Sequence, residues 1–177
     1  TNILTNAVKY TKEGTIDLKI SCINKNNECS LIISVEDTGR GIPLTGKSFN
    51  DKGEEIENYK LLFETLFAGS NYDNNENGKV TGGVNGVGTC VLNHTSDIFK
   101  VTSFKNGESH IVEYKDGGEL VKFESLGKTQ KHGTRMEFKL SDEVYTNTEY
   151  DIEELKDICK HFAAIDNKVK ITLTYKE

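Results

Sequence analysis

The stretch Val35-Glu36-Asp37-Thr38-Gly39-Arg40-Gly41-Ile42-Pro43 is the part of this chain whose reading decides the fold. An apolar run, Ser30-Leu31-Ile32-Ile33-Ser34-Val35, leads into an acid and then two glycines spaced by one residue. A carboxylate at the mouth of a strand can accept a hydrogen bond from a buried ligand amine, and the glycines let backbone approach a flat ring closely. A plain glycine turn capped by its acid would use the same residues, so the stretch needs company before it means anything. Just upstream, Thr15 to Ile20 alternates with period two, and Asn24-Lys25-Asn26-Asn27-Glu28 is turn-rich. Residues 15–20 and 30–35 are therefore expected to form a hairpin.

Two more segments carry chemistry. Residues 2–11 place Ile3, Leu4, Ala7 and Val8 on one helical stripe, with Asn2, Asn6, Lys9 and Tyr10 on the opposite side and Gly14 ending the helix. An amide oxygen at Asn6 can ligate Mg²⁺, which favours hard oxygen donors. Lys9 can neutralise a phosphate and Tyr10 can stack on a base, although a polar helix face by itself is ordinarily just solvated. Further along, Gly82-Gly83-Val84-Asn85-Gly86-Val87-Gly88 leads into a helical segment, Thr89 to Ser96. Successive backbone N–H groups and a helix N-terminus suit phosphate oxygens. The segment is not a Walker A loop, because no Gly-Lys-Ser/Thr follows, and no strand runs directly into it as a Rossmann fingerprint requires. A flexible hinge is the bland alternative.

The remaining segments fill in the architecture. Residues 44–57 read as polar and irregular, and Tyr59 to Phe67 has helical spacing. Gly69 to Gly88 is long enough to be a lid or binding loop. Strand-like runs at 98–104, 109–115 and 119–125 are separated by Lys105-Asn106-Gly107 and Asp116-Gly117-Gly118, both good hairpin turns. Thr134 to Leu140 reads as a strand, about 150–164 as a helix, and Val169 to Tyr175 as a closing strand. The expectation is one α+β domain over residues 1–177, a mostly antiparallel mixed sheet with helices on one face.

Composition narrows the classes. In 177 residues, 28 acids against 22 bases give a net charge of −6, so direct binding of a polyanion such as DNA is disfavoured. No apolar run approaches a membrane span, and the N-terminus lacks a signal-peptide pattern and a starting Met, so a piece of a longer cytoplasmic chain is expected. Cys22, Cys29, Cys90 and Cys159 show no metal-site spacing and read as buried thiols of a reducing compartment. His94, His110, His132 and His161 are equally dispersed.

In this order, an Asn-bearing helix, Asp-x-Gly-x-Gly and a glycine loop resemble the N, G1 and G2 boxes of the GHKL superfamily, which includes type II topoisomerases and sensor histidine kinases. The resemblance implies an α/β sandwich that binds Mg-ATP between helices and a lid. From about Pro43 onward the chain is similar to the gyrase B, topoisomerase IV and phage topoisomerase branch. The segments concerned are Leu61 to Asp73, Val80 to Gly88, and His132-Gly133-Thr134-Arg135-Met136-Glu137-Phe138. Residues 1–43 look instead like a sensor histidine kinase, through Asn2-Ile3-Leu4-Thr5-Asn6-Ala7-Val8-Lys9-Tyr10-Thr11. A divergent protein or a splice of two relatives would both explain the mixture.

By that resemblance Asn6 holds Mg²⁺, and Asp37 receives the adenine amino group with help from Thr134. Gly39, Arg40, Gly41, Ile42 and Pro43 shape the adenine pocket and its mouth, while Lys9 and Tyr10, nucleotide-binding candidates by their own chemistry, stand where topoisomerases carry acids. Gly82, Gly83, Val84, Asn85, Gly86, Val87 and Gly88 wrap the phosphates. Topoisomerases carry a general-base Glu where this chain has Asn2, and an amide cannot take the proton, so hydrolysis is expected to be feeble. The parent is expected to be a topoisomerase B-type subunit that dimerises on ATP and meets DNA through other domains, this segment alone being monomeric and free of membrane contact. The alternatives are a histidine-kinase catalytic domain and a nucleotide-binding module without hydrolysis.

Overall fold

Apolar alternation builds the sheet. In the computed structural model, which describes residues 2–25, 28–50, 52–66, 87–146, 150–165 and 168–175 (the side chains of residues 2, 23–25, 28 and 29 excepted), helix α1 (Asn2–Tyr10) precedes strands β1 (Gly14–Lys25) and β2 (Glu28–Asp37). A small hairpin, β3 (Lys47–Phe49) and β4 (Glu55–Glu57), leads into α2 (Asn58–Phe63). After α3 (Gly88–His94) come β5 (Ser96–Lys105), β6 (Glu108–Lys115), β7 (Glu119–Lys128), β8 (Gly133–Leu140), α4 (Ile152–Ile165) and β9 (Val169–Tyr175). Seven strands form one sheet in the order β7-β6-β5-β8-β2-β1-β9, antiparallel except where β9 runs parallel to β1. The expected α+β class and mostly antiparallel mixed sheet are what the chain adopts.

Register explains why one face is the core. Leu173, Leu18, Val35, Met136, Val101, Val112 and Phe123 are successive cross-strand neighbours, one from each of the seven strands. The adjacent row is Tyr175, Ile20, Ile33, Phe138, Phe99, Tyr114 and Leu120. The helices cover these rows up to β6, Phe123 and Leu120 of β7 staying exposed: Leu4 and Ala7 of α1, Tyr59 and Phe63 of α2 and Cys159 of α4 join the same buried cluster. Phe63, Phe99 and Tyr114 meet edge-on or tilted at centroid distances of 5.4–6.3 Å, a geometry aromatic quadrupoles favour. Asp151 caps α4, its Oδ1 accepting the N–H groups of Glu153 and Glu154 at 2.9 and 3.2 Å.

The differences from the sequence reading have local causes. Residues 44–57 are not irregular: β3 and β4 pair there, held by polar contacts rather than by an apolar stripe. Asn50 Oδ1 accepts the N–H groups of Lys52 and Glu54, and Asn58 ties the hairpin to Ser48 and to the Thr45 carbonyl. The first helix stops at Tyr10, and Gly14, at φ +138°, opens β1 instead of ending the helix. The expected helix over 59–67 is shorter, Asn58–Phe63, and Phe67 lies outside the described residues. Ser96 begins β5 rather than closing a helix. Cys90 and Cys159 are buried thiols, but Cys22 is disulfide-bonded, a pairing that spacing along the chain does not announce.

Candidate functional site

A third row of the sheet breaks the apolar pattern. It runs Ile171, Ile16, Asp37, Thr134, Ser103 and His110, so four polar side chains sit where the first two rows are apolar. Thr134 and Ser103 are buried and Asp37 is half-buried. Polar groups at such a place need partners. The Asp37 carboxylate accepts the Gly39 N–H at 2.8 Å and a second backbone N–H from Thr134. Burial nevertheless pushes its pKa above the ordinary value; those two donors and His132 act the other way, while Glu36 adds to the rise. A carboxylate offers about four acceptor sites. Two backbone donors leave capacity for an incoming amine.

The loop after Asp37 is pressed onto the strand ends. Gly39 is buried, and a Cβ there would lie 2.5 Å from the Tyr10 carbonyl and 2.8 Å from Asp37 Oδ1. Gly41, at φ +72°, would put one 2.6 Å from the Phe104 carbonyl, and Gly133 one 1.9 Å from the Asp37 carbonyl. Four consecutive carbonyls of this loop are engaged by side chains. His132 Nδ1 lies 3.2 Å from the Gly39 oxygen, and Lys105 Nζ donates to the Arg40 and Gly41 oxygens at 3.1 and 3.2 Å. Ser103 Oγ donates to the Ile42 oxygen at 2.6 Å. Ile42 and Pro43 are half-buried beside the fully seated Leu44.

Above the loop stands α1. Asn6, Lys9 and Tyr10 are half-buried. Lys9 Nζ is 4.7 Å, and the Arg40 guanidinium carbon 4.5 Å, from the centre of the Tyr10 ring. Lys9, Tyr10 and Arg40 thus come together at the rim, with the Tyr10 ring engaged by cations. The side chain of Asn2 lies outside the described residues. So do Gly82, Gly83, Val84, Asn85 and Gly86, while Val87 occupies the position before α3 and Gly88 is its first residue. The helix α3 packs beside α1 and is tied to α2 through Thr89 Oγ1 to the Leu62 carbonyl and Asn93 Nδ2 to the Phe63 carbonyl. The end of the glycine loop is therefore held near the Asn6 helix.

Sequence reading missed Ser103, Lys105 and His132 as contributors here. Ser103 reaches the loop 61 positions away and His132 reaches it 93 away, distances at which no motif spacing operates.

The sheet, the covering helices and this polar interruption define a domain of GHKL type. Over residues 1–144 the chain matches the family described as histidine kinase-, DNA gyrase B-, and HSP90-like ATPase, and it belongs to that family. It is 31% identical over 173 residues to the B-type subunit of DNA topoisomerase 4 from Mycoplasma genitalium, covering 97% of this chain and 26% of that protein. It is 30% identical over 173 residues to the B-type subunit of DNA gyrase from Rickettsia bellii, covering 97% and 20%. With the corresponding DNA gyrase chain of Campylobacter jejuni it shares 33% over 163 residues, covering 92% and 19%. The chain spans about a quarter or less of the length of these relatives. Among the described residues no helix is long and apolar enough to cross a membrane.

Proposed function

We propose that this chain is the Mg-ATP-binding and ATPase domain of a type II DNA topoisomerase B-type subunit. The observation that supports the reading is the polar interruption at Asp37 and Thr134, beside a glycine loop packed onto the strand ends. Asp37 is assigned the adenine amine, with Thr134 beside it, and Gly39, Arg40, Gly41, Ile42 and Pro43 the walls and mouth of the pocket. Lys9 and Tyr10 line the rim, and residues 82–88 take the phosphates.

The donor chemistry fits Mg²⁺ bound mainly by substrate oxygens. Among the described residues no three His, Cys, Asp or Glu side chains gather to hold a metal, so Asn6 would add one amide oxygen to those of the phosphates. When bound, the ion neutralises phosphate charge; the chain's own residues orient the base and close around it. Nucleotide-driven gate closure, homodimerisation and DNA strand passage belong to the longer parent, as does its cytoplasmic setting. The Cys22 disulfide would be unusual there.

The test is calorimetry with Mg²⁺ and a non-hydrolysable ATP analogue. Saturable binding that Asp37→Asn weakens is expected; absence of binding to the folded protein would remove the reading. A second reading, phosphotransfer to a histidine on a partner helix, is favoured by the Asn2 to Thr11 segment. Labelled ATP with histidine-bearing helices separates the two, since phosphohistidine forms only in the second. Asn2 favours a third, nucleotide binding without hydrolysis, against which steady turnover would count.

A further inference from the structure

We propose that Lys105 and Ser103 of β5 are positioning residues that set the purine pocket by holding the backbone of residues 40–42, an inference that rests on the ATP-binding reading. The three carbonyls from Arg40 to Ile42 point at the end of one strand and are taken by two of its side chains. Lys105 forms no ion pair among the described residues, and its ammonium donates to two adjacent carbonyls. Its stem is half-buried, and its ammonium reaches carbonyl oxygens instead of a carboxylate. Ser103 is buried and is the cross-strand neighbour of Thr134, so the anchor grows out of the same row that carries Asp37.

The effect reaches Asp37 through the loop. Gly39 gives its N–H to the Asp37 carboxylate, while its own carbonyl faces His132. Sliding of residues 40–42 would turn that N–H away and release the carboxylate from the orientation that selects an amine over a carbonyl on the base. Lys105 and Ser103 would then govern discrimination between adenine, with its amino group, and guanine, with a carbonyl at the same place. Neither residue needs to touch the nucleotide.

The experiment uses the whole chain with Lys105→Ala, Lys105→Arg and Ser103→Ala, each first checked by its melting curve. Amide hydrogen exchange over residues 39–44, without nucleotide, is expected to quicken about tenfold or more in Lys105→Ala while β5 and β8 stay protected. Lys105→Arg should restore most of the protection. Calorimetry with ATP and GTP analogues should show a narrower preference for adenine in Lys105→Ala and Ser103→Ala. Unchanged exchange in 39–44, or an unchanged ATP to GTP ratio in both variants, would overturn the proposal. Failure of the wild-type chain to bind any adenine nucleotide would instead overturn the ATP reading, and the exchange result would still decide whether the anchor exists.

Discussion

Asp37 shows what a single side chain pays to be useful. Its carboxyl titrates above its ordinary value in the folded chain, chiefly because it is buried, so the folded state holds the proton more tightly than the unfolded state does. Stability from this group is fully present below the unfolded value and is lost as pH rises through the folded one. Asp37→Asn should therefore melt progressively higher relative to the wild type as pH rises from mildly acid to neutral, a trend scanning calorimetry can follow. On the proposed ATP-binding reading, the same variant should lose roughly 1–3 kcal/mol of adenine-nucleotide affinity, because the base amine would then meet an amide instead of a carboxylate. Asn2 poses the complementary case. General-base catalysis is worth about 10²- to 10⁴-fold, so if the proposed topoisomerase reading holds and the first helix docks accordingly, Asn2→Glu in a longer chain with its neighbouring domains should raise ATP hydrolysis. Affinity for a non-hydrolysable analogue should stay within a few-fold. No increase in steady-state turnover would mean that the first helix is docked differently or that the reaction is phosphotransfer.

Elements meet at Gly133, the first residue of β8. With φ +114° and an Asp37 carbonyl where a Cβ would stand, it has no room for a side chain. Gly133→Ala is expected to cost about 2–4 kcal/mol through backbone strain and overpacking. It should also weaken nucleotide binding, because relief can come only by moving β8 away from the end of β2; urea unfolding and calorimetry on one sample check both. Legibility in the sequence also divides by element. Strands β5 to β9 could be read from alternation and turn residues, and the Asn106-Gly107 and Asp116-Gly117 turns adopt the positive φ that such pairs favour. The β3–β4 hairpin could not, because Asn50 and Asn58 hold it through side-chain hydrogen bonds that leave no apolar period. Asp37 and Thr134 stood out through local motifs. Ser103, Lys105 and His132 did not, since their roles arise from a register between strands that sequence order conceals.

At the scale of the whole molecule, ligand linkage gives the plainest test. If Mg-ATP analogue binds the folded state alone, a concentration one hundred times Kd adds about 2.7 kcal/mol. For a chain of this size that corresponds to a rise of roughly 5–10 °C in melting temperature. An unmoved melting curve would contradict nucleotide binding.

The pairing of β9 with β1 also has a bearing on how the chain is made. Synthesis completes β1 roughly 140 residues before it reaches β9, which at about 5–20 residues per second means a wait of some 7–30 s. Throughout that interval Ile16, Leu18 and Ile20 lie on a strand with one flank unpaired, open to capture by any other extended polypeptide. A nascent chain arrested before Val169 is therefore expected to be held by chaperones and to resist release, whereas one arrested after Tyr175 should let go.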